Sequence, residues 1–227
     1  LTAIIWAACE TPEKRRTTGA KTSASEPPAP RKPIEPGLPK IQAAECLWAT
    51  GPILIDGNAT EPAWSGATVF EDYHLAWLGE KDRPAKTKTR TRLLWDSEYL
   101  YFTAEMEDTD LFADVTRQDD DTWNNDVWEL FLKPAGDKGY YEFHVNAANT
   151  KFDIFLPHRG GWLVKRLRRT HAFHIESKVT LRGTLNDLTD RDKGWTVEGR
   201  IPWSDLRMSG GAPKAGDEWT LSLCRYD

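Results

Sequence analysis

Apolar residues in this chain come in short runs that alternate with polar ones. From residue 41 onward, turn signals break these runs at intervals of about ten residues. No long run keeps the i, i+3, i+4, i+7 spacing of an amphipathic helix. A period of two puts successive side chains on opposite faces, so each run reads as a strand with one face buried. The spacing predicts strands at 53–56, 88–95, 99–106, 127–132, 140–146, 152–156, 173–181, 194–202 and 218–225. Asp96-Ser97-Glu98 reads as a tight hairpin between two of them, Asp56-Gly57 as a turn, and Trp203-Ser204-Asp205-Leu206 after Pro202 as a helical turn started by Ser204. Many short strands with almost no helix predict an all-β fold, an antiparallel β-sandwich of jelly-roll-like form.

The amino-terminal part has a different character. Residues 1–9 are an apolar run ending in small residues and Cys9, which resembles the end of a bacterial lipoprotein signal with Cys9 as the lipidated residue. An anchor of that kind tethers a chain to a membrane without a spanning helix, and no other run has the length that a span needs. Residues 10–40 hold seven of the prolines among polar and charged residues, the composition of an extended linker. The expected organisation is therefore a signal remnant at 1–9, a linker at 10–40 and one domain at 41–227, in an exported protein of the cell envelope or exterior. Cys46 and Cys224 stand near the two ends of that domain. An oxidising compartment would permit a disulfide between them, and two free buried thiols are the alternative.

Acidic residues number 35 and basic residues 30, mixed along the chain for a net charge of -5. Phosphate backbones are bound by concentrated basic fields, so nucleic acid is excluded as the main partner. Arg166-Leu167-Arg168-Arg169 is the local exception, and it is too short and too poor in aromatics for base stacking. Eleven tryptophans are more than a core of this size needs, and several sit in polar, turn-rich contexts. Exposed aromatic rings on a rigid surface are candidates for binding.

Residues 119–146 concentrate that signal. In the strand at 127–132, Trp128, Leu130 and Leu132 share the core parity, leaving Val127, Glu129 and Phe131 on the other face. In the strand at 140–146, Tyr141, Phe143 and Val145 point inward and Tyr140, Glu142, His144 and Asn146 outward. A hairpin between them would bring Glu129 close to His144 and Asn146, with Trp123 in the loop at the rim and Asp126 bonding there. A sugar is held by stacking its C–H face on an aromatic ring while planar polar side chains bond its hydroxyls. Those residue types meet that need, and the expected partner is a glycan or oligosaccharide bound by a monomer.

Other chemistries fit less well. Asp119, Asp120 and Asp121 offer hard oxygen ligands for calcium, but the spaced twelve-residue calcium loop is absent, and solvated acids opening a strand are the other reading. A glycosidase would use Glu129 with Asp126 or Glu142, yet the second acid has no clear identity. The five histidines make no H-x-x-x-H pair, and there is no C-x-x-C, phosphate loop or nucleophile elbow. A haem module would need axial Met and His, and neither Met106 nor Met208 has a histidine in an evident partnering position. Sugar binding requires no cofactor.

Six motifs in order complete the reading: IDGNATEPAW (55–64), RLLWDSEYLYFTAEMED (92–108), DTWNNDVWELFLKP (121–134), YYEFHVNAANTKFD (140–153), GWTVEGRIPWSDL (194–206) and GDEWTLSLCRYD (216–227). Together they resemble carbohydrate-binding module family 9, whose fold is a jelly-roll-like sandwich related to the DOMON domains. The resemblance implies a non-catalytic module, often attached to or working beside a glycoside-degrading enzyme. It implies that Trp123 is one plate of an aromatic sandwich around a sugar and that Glu129 and Asn146 contact hydroxyls, while His144 stands where a binding member has arginine. It also implies a domain continuing past Asp227, where the second plate would lie. Trp162 is the candidate within this chain for that second plate.

Overall fold

A computed structural model describes residues 2–5, 42–75, 78, 81–158 and 173–227. Cys9, the linker at 10–40, Trp162, the Arg166–Arg169 cluster and His171 lie outside the described residues. Twelve strands are described: β1 (Thr2–Ile5), β2 (Gln42–Glu45), β3 (Leu47–Trp48), β4 (Val69–Phe70), β5 (Thr89–Trp95), β6 (Tyr99–Met106), β7 (Val127–Lys133), β8 (Tyr140–Asn146), β9 (Lys151–Leu156), β10 (Glu176–Leu181), β11 (Trp195–Pro202) and β12 (Glu218–Tyr226). They form two sheets, ordered β2-β1-β12-β7-β8-β9 and β10-β11-β6-β5-β3, with β4 paired to β5. The sandwich is as expected, and its pairings are antiparallel apart from β1 with β12 and β3 with β5. Residues 2–5, read above as part of a leader, form β1 between β2 and β12.

The core lies where the inner faces meet. Trp128, Leu130 and Leu132 of β7 and Tyr141, Phe143 and Val145 of β8 share one cluster with Leu93, Phe102, Ala104, Trp195 and Val197 of the opposite sheet. The rings of Phe102 and Trp128 stack at a centroid distance of 4.7 Å and an interplanar angle of 16°. Each such side chain contributes about 1.5–3 kcal/mol on leaving water. Of the described tryptophans, Trp64, Trp95, Trp128, Trp195, Trp203 and Trp219 are buried. Trp123 is half-buried and Trp48 is exposed.

Residues 53–56 depart from the expected strand. Their alternation is real, since Ile53 and Ile55 are buried against Leu94 and Tyr101 while Leu54 faces solvent. Side chains, however, take the place of a ladder partner. Leu54 N donates to Glu61 Oε1 at 3.1 Å, and Asp56 N and Gly57 N donate to Glu198 Oε2 at 3.1 and 3.0 Å. Trp64 Nε1 donates to the other oxygen of Glu198 at 3.1 Å, so one buried carboxylate holds this whole segment on the outer face of the second sheet. The hairpin turn forms as expected, with Asp96 Oδ1 accepting from Glu98 N and Tyr99 N, and the helical turn after Pro202 is a 3-10 segment, Trp203–Ser209, that starts at Trp203 without a side-chain cap rather than at Ser204. Cys46 and Cys224 are buried free thiols rather than a bridge, and burial pushes the Cys46 thiol up to about 12.

Gly199 faces the core from β11, opposite Phe102. A Cβ there would fall 2.3 Å from Phe102 Cζ and 2.6 Å from the Glu176 carbonyl oxygen. The ring can be displaced only at the expense of its stack on Trp128, and the carbonyl belongs to the β10 ladder. Gly199→Ala is therefore expected to destabilise the fold by about 1–3 kcal/mol, seen as a melting temperature lower by several degrees. An unchanged melting curve would refute the tight packing at this point.

Candidate functional site

The β7–β8 hairpin sets the site by its register. Glu129 pairs with His144, Phe131 with Glu142 and Val127 with Asn146. On the other side of β8, β9 adds Phe152 opposite His144 and Ile154 opposite Glu142. The face of this sheet turned away from the core therefore carries rings and acids side by side. A cavity of about 370 Å³ opens there, with Glu129, Glu142 and His144 in its lining. Phe131, Tyr140, Phe152, Ile154, Tyr226 and Trp123 complete it. Trp123 stands on a 3-10 turn, Thr122–Asn124, whose ends are tied by Asn124 N to Asp121 O and Asn125 N to Thr122 O. Its ring meets Phe152 edge-on at 5.3 Å and His144 at 6.2 Å.

The polar lining is nearly dry. Glu129 is 2% exposed, and burial, reinforced by the charge of Glu142, pushes its carboxyl well above the usual carboxylate range. Burial pushes the His144 imidazole down to about 3, so this ring is neutral at ordinary pH. Glu129 Oε1 lies 3.3 Å from His144 Nδ1, and Thr122 Oγ1 lies 3.4 Å from the same nitrogen. With the Thr122 hydroxyl donating to Nδ1, the neutral ring carries its proton on Nε2. That Nε2 is buried without a hydrogen-bond partner among the described residues, 3.9 Å from Glu142 Oε2. Buried polar atoms are nearly always bonded, so such an atom in a cavity wall is one that a ligand would satisfy.

Two of the expected contacts are corrected by the structure. Asn146 is fully buried and does not line the cavity. Its Nδ2 donates to Val115 O and Asn125 Oδ1, at 2.8 and 3.0 Å. Its Oδ1 accepts from Ala148 N and Thr150 N at 3.1 and 2.8 Å. An amide offers two protons and two lone pairs, so Asn146 has no capacity left for a sugar hydroxyl. Asp126 is likewise turned away. Its Oδ2 accepts from Phe112 N, and its carboxylate sits with Asp108 and Asp227 within 4.8 Å of one another.

The calcium reading of Asp119, Asp120 and Asp121 is not supported by their placement. Asp120 pairs with Arg117 at 3.1 Å, and Asp119 Oδ1 accepts from Gln118 Nε2. Among the described residues, the acids that converge closely enough for an ion are Asp108, Asp126 and Asp227. Arg225 already reaches this group, bonding Asp108 at 2.8 Å and Asp227 at 3.2 Å.

Glu129, His144 and Trp123 are thus brought together as expected, with Glu142 beside them, while Asn146 and Asp126 form the support beneath the rim. Sequence reasoning missed Phe152, Ile154 and Tyr226. Alternation along β9 marks Phe152 and Ile154 as one face, but which neighbour that face extends depends on strand order. A second groove of about 360 Å³ adjoins the cavity through Phe131 and Tyr140 and runs to Lys133, Thr220 and Ser222.

Burial and the neighbouring Asp108 raise the Asp126 carboxyl to about 8 from 3.8. The folded chain therefore keeps a proton that the unfolded chain releases, and this contribution to stability is full below about 4 and lost as pH rises to about 8. Asn can replace the acceptor to Phe112 N without a charge. Asp126→Asn is expected to stabilise the fold at the upper end of this window more than at the lower, by on the order of 2 kcal/mol in the unfolding free energy measured by denaturant at each pH. Parallel pH dependences of the two proteins would contradict this account.

A family model, "Carbohydrate family 9 binding domain-like", matches residues 55–227. The endo-1,4-beta-xylanase A of Thermotoga maritima is 28% identical to the chain over 172 residues, 68% of this chain and 15% of the xylanase. The chain thus corresponds to 15% of the length of that curated relative. Among solved structures, a carbohydrate-binding module family 9 from Caldicellulosiruptor kristjanssonii in complex with cellotriose is similar at 20% identity and a TM-score of 0.45, covering 69% of this chain and 66% of that one. A glucose complex of a family 9 module from the same organism is similar at 22% identity and a TM-score of 0.45, covering 70% and 68%. Since the matched model extends across β4 to β12 and every residue lining the cavity, the chain belongs to the carbohydrate family 9 binding domain-like family.

Proposed function

We propose that the chain is a non-catalytic module that binds a carbohydrate in the cavity beside Trp123. The observation that carries this reading is the pairing of an aromatic rim with dry polar groups: Trp123 at the mouth, Glu129 and the unpartnered Nε2 of His144 in the wall. Family membership supports a carbohydrate as the ligand. At about 370 Å³ the cavity falls in the range of ligand clefts, about 300–1,000 Å³. The apolar face of a sugar would lie on Trp123, and its hydroxyls would donate to Glu142 and exchange bonds with Glu129 and His144. Burial lets these bonds form in a low dielectric, where each is stronger than in water. Trp162, outside the described residues, remains the proposed second plate.

Titration against a panel of mono- and oligosaccharides, followed by tryptophan fluorescence or calorimetry, tests the reading. Trp123→Ala is expected to weaken sugar binding at least tenfold, about 1.4 kcal/mol, while the melting temperature moves by only a few degrees because the ring is half-buried. Unaltered affinity in this variant would remove Trp123 from the site. Silence across the whole panel in the unmodified chain would point instead to an interaction or structural module with a degenerate sugar site.

Export and tethering belong to the same proposal. A lipid on Cys9 followed by the proline-rich segment at 10–40 would hold the sandwich away from a membrane surface, within reach of a glycan. Metabolic labelling with a fatty acid is expected to mark the chain and to fail in Cys9→Ser. Equal labelling of both would show that Cys9 is not the anchor.

A further inference from the structure

The two ring nitrogens of His144 have unlike surroundings. Nδ1 faces the Thr122 hydroxyl at 3.4 Å, and Thr122 is fully buried. That contact is the one hydrogen bond of the hydroxyl among the described residues. A proton left in a dry interior without an acceptor costs about 1–3 kcal/mol, so the hydroxyl donates to Nδ1. A neutral imidazole has one N–H, and this bond assigns it to Nε2. Glu129 Oε1, 3.3 Å from Nδ1, would draw the proton the other way as a carboxylate, but burial holds that carboxyl well above its usual range. Nε2 itself is buried and meets no acceptor among the described residues. Phe152 and Phe131 flank the imidazole at 4.9 and 6.0 Å between centroids, and Glu142 Oε2, at 3.9 Å, is beyond hydrogen-bond length.

We propose that His144 is a specificity-determining donor of this cavity and that Thr122 is the positioning residue that makes it one, so that the site selects sugars presenting an acceptor oxygen to Nε2; the proposal rests on the sugar-binding reading above. The bond needs a lone pair from the ligand and not a proton. A hydroxyl oxygen meets that need, and so does a fluorine in its place, whereas a C–H leaves the N–H unpaired among aromatic rings. Sites built to bond a polar group discriminate strongly against the analogue that lacks it, because the protein's own group is then stranded. Thr122 stands one residue before Trp123 on the same 3-10 turn. The turn that carries the stacking ring therefore also fixes where the imidazole holds its proton.

Long-range proton–nitrogen NMR spectra of the full chain report which nitrogen of His144 carries the proton, and calorimetry with glucose, galactose, mannose, xylose and N-acetylglucosamine reports binding. The Nε2–H form is expected in the free chain, with its signal shifting when a sugar binds. Among the monodeoxy forms of the tightest-binding sugar, one is expected to bind about tenfold more weakly than the parent, and the deoxyfluoro form at the same carbon to stay within about threefold. Thr122→Val is expected to move part of the proton to Nδ1 and to shrink the tenfold discrimination to about threefold or less, while Thr122→Ser, which keeps the hydroxyl, retains both. An Nδ1–H form in the free chain, or sugar binding that leaves the Nε2 signal unmoved, overturns the inference and leaves the sugar site standing. Failure of all five sugars to bind overturns both. Discrimination that survives Thr122→Val undiminished overturns the role of Thr122.

Discussion

The buried amide of Asn146 ties separate stretches of chain together at one end of the first sheet. Through Val115 and Asn125 it holds the long connection that precedes β7, and through Ala148 and Thr150 it closes the turn into β9. Asn125 repeats the device, accepting from Val115 N and donating to Asp114, while Asp126 does the same for Phe112. Trp123 lies just before this knot on a turn too short to orient itself. Its place at the cavity mouth therefore depends on bonds made by residues that never meet the ligand. Leaving any of these buried groups unpaired would cost about 1–3 kcal/mol.

Beneath the site, the β7–β8 hairpin serves two environments at once. One parity supplies Trp128, Leu130, Tyr141 and Phe143 to the core, and the other supplies Glu129, Phe131, Glu142 and His144 to the cavity. Because the side-chain period is two, a slip of one residue would exchange the two sets completely. The core thus guards the site: the register that buries Trp128 is the one that pairs Glu129 with His144. Rigidity follows from the same source. Both strands are interior to their sheet, flanked by β12 and β9, so the polar groups are held on backbone that is bonded on either side.

Buried acids recur in this molecule and are handled in different ways. Glu198 is satisfied by two backbone amides and an indole, and so works as a fastener for residues 53–64. Asp108 is matched by the Arg225 guanidinium, with Asp126 kept protonated beside it. Glu129 lies 3.3 Å from the neutral imidazole of His144, on the wall of the cavity. The Glu198 arrangement bonds both carboxyl oxygens within the protein, whereas the wall beside Glu129 leaves His144 Nε2 without a partner among the described residues. That difference separates a structural carboxyl from one available to a ligand.

Alternation, a property of single strands, was enough to read the sandwich, the β7–β8 hairpin and the juxtaposition of Glu129, His144 and the rim Trp123 from the sequence. It was not enough for residues 53–56, where a buried face is real but Glu61 and Glu198 replace a ladder partner. Nor could it separate Asn146 from His144, which share a parity and differ only in what covers them. His144 lies where the face is open, and Asn146 lies at the strand end under the 111–126 connection. Phe152, Ile154 and Tyr226 joined the cavity because β9 and β12 flank the hairpin, a matter of strand order. The sequence by itself determined which side chains share a face, since that follows from local backbone geometry. Only the tertiary structure decided which part of the face stays open, because covering and neighbour choice depend on contacts between residues far apart in the chain.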